Sequence, residues 1–421
     1  MVTHCHVTKQ DSTSQHVDDD DTCFRRDTPH VDCRIHLNAA GCSLPSSQTL
    51  AKVHEYLEDE CRFGGYEAAQ VVRKEDIHAV YEELATLLNC DAGEIAVVTS
   101  ATEAWLQVVY GLAFTTTCIL TSMSEYGSNF LTYLQIQKRL GVNIVVIPET
   151  PDGCIDLHFL DEYLKKTPKD STLISITHVP TSSGKVYDAA AVGALAKKHG
   201  VLYLLDACQS VGQMVVDVKD IQCDFLTGTG RKYLRAPRGS GFLYCSSKVM
   251  NTFEPGTIDV SSACWLSGTT YEVLGSMRRF EKYEMSYAAK LGLGIAVREC
   301  NTYGIRRIQK RIEALATHLR MKLRERLANE IQIEDRSGFA LCGIVSFSIH
   351  KLPHTIDSVY ENLQQSGISV SVSRRGSTLL EFTDKSLQSV IRCSCHVYNE
   401  IHELDRFVET LHSILHATII K

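Results

Sequence analysis

From Arg34 onward the chain alternates short, almost unbroken apolar runs with longer stretches whose apolar positions recur at helical spacing. The runs are Ile95–Thr99, Cys118–Thr121, Ile144–Ile147, Thr172–His178, Val201–Asp206, Asp224–Thr227 and Gly241–Tyr244. Between most of them lie amphipathic segments such as Thr102–Ala113, Asn129–Leu140 and Ala189–His199. An apolar run without alternation suits a strand covered on both faces, and the intervening segments suit the helices that cover it. The pattern predicts an α/β fold: a mainly parallel seven-stranded sheet flanked by helices. Gly239-Ser-Gly241 follows closely on the sixth run, so the last strand is expected to be antiparallel.

Beyond about residue 275 the pattern changes. Two long helical stretches, Glu281–Cys300 and Ile305–Ala328, precede short strands expected near Ala340–Ile349, Ile368–Ser373, Leu379–Phe382 and Ile391–Cys395, and a helix near Glu400–His416 follows. This predicts a large domain over 34–280, then a linking helix and a small α+β domain over 281–421. Residues 1–33 are polar and include the run Asp18–Asp21, so they are expected to form a disordered tail. His4, Cys5 and His6 with those Asp residues have metal-ligand chemistry, but nothing holds them in fixed geometry and no metal is expected.

Composition narrows the class without choosing the function. Apolar residues make up 44% and charged residues 22%, an ordinary soluble balance. A formal charge of −7 gives no reason to expect nucleic acid or an anionic membrane as partner. No run approaches a membrane span, and the N-terminus lacks an apolar signal core, so a cytoplasmic protein is expected. The 16 Cys are scattered without a CxxC pair, which favours reduced thiols over a disulfide framework.

Two segments carry the chemistry. Val201-Leu-Tyr-Leu-Leu-Asp206-Ala-Cys-Gln209 ends an apolar run in a carboxylate, and Cys223-Asp-Phe-Leu-Thr-Gly-Thr-Gly-Arg-Lys232 ends another in a Gly/Thr loop and a lysine. A buried Asp, a Lys on a following loop and small hydroxyl residues beside it are what a pyridoxal 5′-phosphate site requires. Asp206 would keep the pyridine nitrogen protonated, and Lys232 would form the Schiff base as the catalytic residue. Gln209, one turn on, is placed to contact the ring oxygen. Each has a plainer reading: Asp206 as a helix cap, and Arg231 with Arg235 and Arg238 as a basic surface loop.

Other segments are weaker alone. Thr99-Ser-Ala101-Thr102-Glu-Ala follows a strand and opens a helix, which suits a phosphate or an ordinary N-cap at Ser100 or Thr102. Tyr126, after the next strand, suits ring stacking or simple packing. Arg392 on an apolar strand suits either a substrate carboxylate or a structural ion pair.

In their order these segments, with His178-Val-Pro-Thr181-Ser-Ser-Gly184 and Arg392-Cys-Ser-Cys-His-Val-Tyr-Asn399, resemble the class V aminotransferase family of fold-type I pyridoxal phosphate enzymes, which includes cysteine desulfurases. The resemblance implies cofactor contacts from Ala101, Thr102, Tyr126, Asp206, Gln209, Thr229, Arg231 and Lys232. It implies substrate contacts from Thr181 and Arg392. The texture of His36-Leu-Asn38-Ala-Ala-Gly41, Gly64-Gly-Tyr66-Glu-Ala68 and Arg278-Arg-Phe-Glu281 is similar to an isopenicillin-epimerase-like and ergothioneine-pathway C–S lyase branch, which would put Asn38 and Tyr66 at the substrate mouth.

Two departures qualify this. Desulfurases carry sulfur on a loop Cys, and this chain has no Cys between Gly343 and Ile391, where Arg374-Arg-Gly-Ser-Thr378 occupies the corresponding region. Glu284 falls near a position where relatives place a Thr that reaches the partner subunit's phosphate, so that contact is expected to be absent or replaced. Cys393 and Cys395 are expected to pack. The resemblance implies an enzyme acting on a small amino-acid substrate through a Cα carbanion. A β-eliminating C–S lyase is favoured over an aminotransferase or epimerase, and a desulfurase or a non-catalytic relative ranks lower. It also implies a homodimer.

Overall fold

The computed structural model describes residues 22–335, 339–350 and 355–417. Seven strands form the central sheet: β1 (Ile95–Val98), β2 (Cys118–Ser122), β3 (Asn143–Ile147), β4 (Thr172–Thr177), β5 (Leu202–Asp206), β6 (Phe225–Thr229) and β7 (Gly241–Cys245). Their order is β1-β7-β6-β5-β4-β2-β3, and only β7 runs against the rest. The inner strands are buried along their length, as expected where helices cover both faces.

The longer helices are α1 (Ser47–Phe63), α2 (Lys74–Leu88), α3 (Ala101–Leu112), α4 (Gly127–Leu140), α5 (Ala189–His199), α6 (Tyr287–Tyr303) and α7 (Ile305–Leu327). Several starts are fixed by side-chain caps, Ser46 to Thr49 N, Ser100 to Glu103 N and Asp188 to Ala191 N. One core packs Leu84, Leu226, Leu291 and Val297 together; another sets Trp105, Val108 and Tyr133 against Phe225 and Phe280. No helix among the described residues is long and apolar enough to cross a membrane.

A second, antiparallel sheet has the order β8-β9-β11-β10, from β8 (Ile331–Ile333), β9 (Ile344–Ile349), β10 (Ser371–Arg374) and β11 (Ser389–Ser394). Helices α8 (Ile356–Gln365), α9 (Leu379–Asp384) and α10 (Ile401–His416) accompany it. Its core takes in Ile35 and Leu37 from the N-terminal segment, and Ile35–His36 pairs in parallel with Ile368–Ser369. Helix α6 and the first turns of α7 pack on the large lobe through Leu293, Val297, Ile308 and Ile312. Cys393 and Cys395 are buried in the small-lobe core.

Three expectations are corrected. Leu379–Phe382 is helix, not strand, and its Glu381 pairs with Lys385 one turn on, a spacing only a helix brings together. The stretch expected to be helical from Glu281 begins at Tyr287, because Ser286 supplies the cap and 281–286 run without helix before it. The polar tail expected over 1–33 ends early: Thr22–Arg26 is helical, Phe24 is fully buried with its ring 4.7 Å from that of Tyr303, and Arg25 pairs with Asp32 and Glu403. One buried aromatic anchors a segment whose average composition is polar. Residues 1–21, including His4, Cys5, His6 and the Asp run, lie outside the described residues.

Candidate active site

Loops at the carboxyl ends of parallel strands converge on one cleft, the usual place for a ligand in an open α/β sheet. Strand β1 leads into Ser100-Ala101-Thr102, β2 toward Tyr126, β4 toward Thr181, β5 ends in Asp206, and β6 ends in Thr229 before Arg231 and Lys232. Ala101, Thr102, Tyr126, Thr181 and Asp206 line this cleft together with Gln209, Thr229, Arg231 and Lys232. Two glycines make the convergence possible. A Cβ on Gly241 would lie 2.6 Å from the Ser100 carbonyl carbon, and Gly212, at φ +93°, lets the turn after Asp206 approach the Tyr233 backbone.

Asp206 sits in a hydrogen-bonded frame. Its Oδ2 accepts from Asn129 Nδ2 at 3.0 Å and its Oδ1 from Cys208 N at 3.0 Å. Asn129 also donates to buried Glu125, which accepts from Thr121, Thr177 and Tyr126 N as well. Burial, and then the Asp206 charge, raises the Glu125 carboxyl to about 7. Lys232 faces the same cleft. Burial is the main cause holding its amine below the ordinary lysine range, with the Arg231 and Arg392 charges adding to it against the pull of Cys208 and Asp206.

The anion end is α3. Ser100, not Thr102, is the N-cap, so the capping and phosphate readings hold together: the first N–H groups lack intrahelical partners and the Thr102 hydroxyl remains exposed. Thr229 and Arg231 face it, with Arg231 Nη1 already donating to the Gly41 carbonyl.

At the substrate end, Asn38 and Arg392 lie behind Thr181, outside the cleft lining itself, and are joined to it from distant segments. Arg392 Nη1 donates to the Thr181 carbonyl at 2.8 Å and hydroxyl at 3.0 Å, and its Nη2 reaches Asn38 Oδ1 at 3.4 Å. Burial draws the guanidinium down to about 10, still charged at neutral pH, and its Nε is buried without an acceptor. A carboxylate is the acceptor that best matches a guanidinium.

These groups fit pyridoxal phosphate: a buried carboxylate for the ring nitrogen, an amine with depressed basicity, a helix start with hydroxyl and guanidinium for the phosphate, and an unfilled Arg donor beyond. Two expected contacts differ. Gln209 Nε2 is engaged by Ala40 O at 3.2 Å and Thr181 Oγ1 at 3.4 Å while its Oε1 has no partner, so a donor to the ring oxygen requires the amide to turn over. Tyr66 is 62% exposed and bonds Tyr283 outside the cleft, because the turn after α1 carries it away. Glu284 is exposed and does not line the cleft. Asn129, Glu125 and Cys208 were not singled out from the sequence. The first two lie within the segment that contributes Tyr126, four residues apart, which is the spacing that joins them.

The aminotransferase class-V family pattern matches residues 35–407. A probable cysteine desulfurase of Methanothermobacter thermautotrophicus is 28% identical over 93% of this chain and 97% of its own. Among solved structures, the apo cysteine desulfurase from Thermococcus onnurineus NA1 superposes with a TM-score of 0.84 at 24% identity, covering 93% of this chain and 97% of that one. The cystine C–S lyase C-DES, in complex with its reaction product cysteine persulfide, does so with 0.80 at 20% identity, covering 91% and 99%. The curated relatives are named cysteine desulfurases, not members of the isopenicillin-epimerase-like or ergothioneine branch suggested by sequence texture.

Proposed function

Because the chain belongs to the class-V aminotransferase family and is a pyridoxal 5′-phosphate enzyme, we propose that it cleaves the Cβ–S bond of a cysteine conjugate or cysteine sulfoxide by β-elimination. Bound pyridoxal phosphate supplies an electron sink that acidifies the substrate's Cα–H. The protein's side chains do the rest. Arg392 and Asn38 hold the α-carboxylate, and Asp206 keeps a proton on the ring nitrogen. The Lys232 amine, held below the ordinary lysine range chiefly by burial, takes the Cα proton. The Cβ–S bond then breaks with its electron pair leaving on sulfur, and water converts the released enamine to pyruvate and ammonia.

The observation that favours elimination over sulfur transfer to the protein is the lack of any Cys between Gly343 and Ile391. Cys208, the thiol lining the cleft, is raised well above the ordinary range by burial and then by Asp206, which makes it a poor nucleophile. The names of the relatives favour a second reading, cysteine desulfurase. Purified protein is assayed with L-cysteine, S-substituted cysteines and cysteine sulfoxides, with and without a 2-oxo acid. Pyruvate release without an acceptor supports lyase, protein-bound persulfide from L-cysteine alone supports desulfurase, and strict acceptor dependence supports aminotransferase. Exposed Tyr66, Val71, Trp265 and Leu266 offer apolar surface for a second copy, and a homodimer is part of this reading; sedimentation at monomer mass would remove it.

A further inference from the structure

Beside Thr181 the chain buries four charged side chains in one cluster spanning the two lobes. Lys185 Nζ lies 2.5 Å from Glu149 and 3.6 Å from Glu381 of α9, and Lys385 lies 2.8 Å from Glu381. Glu149 also accepts from Ser124 at 3.1 Å and from Tyr187. The link to the active site is Ser182, whose Oγ donates to Glu381 Oε2 at 2.6 Å. Its chain neighbour Thr181 accepts twice from Arg392. The other end of the loop is also fixed, since Gly184 N donates to Asp335 and a Cβ there would meet the Ile344 carbonyl at 2.0 Å.

A buried ion cluster adds little net stability, because desolvation offsets attraction. Its value here is geometric. Glu381 has one oxygen on Ser182 and the other on Lys385, so the small lobe grips the loop that orients Arg392.

We propose that Glu381 is a positioning residue for substrate recognition: through Ser182 it fixes the Thr181 loop and so sets the Arg392 guanidinium for the substrate carboxylate. This rests on the carboxylate role given to Arg392 above. Although burial opposes it, the charges of Lys185 and Lys385 hold Glu381 down to about 2, so it stays an acceptor over any working pH.

The test titrates holoenzyme with L-alanine and with L-alaninamide, which lacks the carboxylate, following the visible absorption of the bound cofactor. Ser182→Ala, which leaves the ion cluster intact, and Glu381→Ala should each weaken L-alanine binding about 3- to 10-fold and leave L-alaninamide unchanged. The double variant should be no weaker than Glu381→Ala, because both act through one hydrogen bond. Unchanged L-alanine affinity in Ser182→Ala, equal weakening of both probes, or additive losses would overturn the proposal. Wild type binding both probes equally would remove the Arg392 reading, and this proposal with it.

Discussion

The two ends of the cleft are built differently. At the cofactor end, Ala101, Tyr126, Asp206, Thr229 and Lys232 each end or follow a strand of one sheet, so strand register brings them together. At the substrate end, Asn38 and Arg392 come from small-lobe segments 354 residues apart, and Thr181 of the large lobe meets them only when the two lobes dock. The cofactor end is therefore a property of the sheet, whereas the substrate end is a property of the lobe arrangement. Substitutions should damage chemistry at the first and substrate affinity at the second.

The largest effect tests the cofactor end. Lys232→Ala should lower turnover by about a thousandfold or more, because one side chain both anchors the cofactor and moves the proton. Near-wild-type turnover in steady-state assays would break the comparison at its stronger side.

Acid should loosen the junction between the ends. Burial lowers His36 and His178 to about 4 and His396 to about 3. The unfolded chain binds these protons near 6.5, so stability should fall as pH drops from there toward 4, by on the order of several kcal/mol in sum. Glu125, raised to about 7, works in the opposite sense over that window. His36 bonds Tyr398 and His396 stacks between Tyr233 and Tyr398, next to the substrate end. Denaturant melts at pH 7 and pH 5 read the difference; equal midpoints would contradict it.

At the substrate end, Arg392→Leu should raise KM about thirtyfold, from about 2 kcal/mol of charge-assisted bonding, with kcat falling less. A kcat effect alone would place Arg392 in the chemistry instead. Smallest is Thr102→Val, which should weaken cofactor binding about fivefold, from about 1 kcal/mol for one hydroxyl bond, measured by retention on dilution.

The same division decides what was legible in the sequence. The seven runs, the antiparallel seventh strand and the Asp206–Lys232 pair follow from periodicity and strand ends, which are local. Leu379–Phe382 misled because a short apolar run does not separate strand from helix, and the Glu381 pairs that decide it are tertiary. Phe24 was hidden in a polar segment for the same reason. Tyr66 matched by texture, yet no local pattern shows which way a turn carries a side chain. Asn38 and Arg392 did meet, within the small lobe where Asn38 bridges Ser394, though nothing local predicts that pairing.

Borohydride reduction of the holoenzyme followed by peptide mass mapping is the most direct test of the central claim. Reduction should fix the cofactor to the peptide containing Lys232, with no other lysine modified and with the modification lost in Lys232→Ala. A cofactor-modified peptide elsewhere, or none at all, would contradict the account.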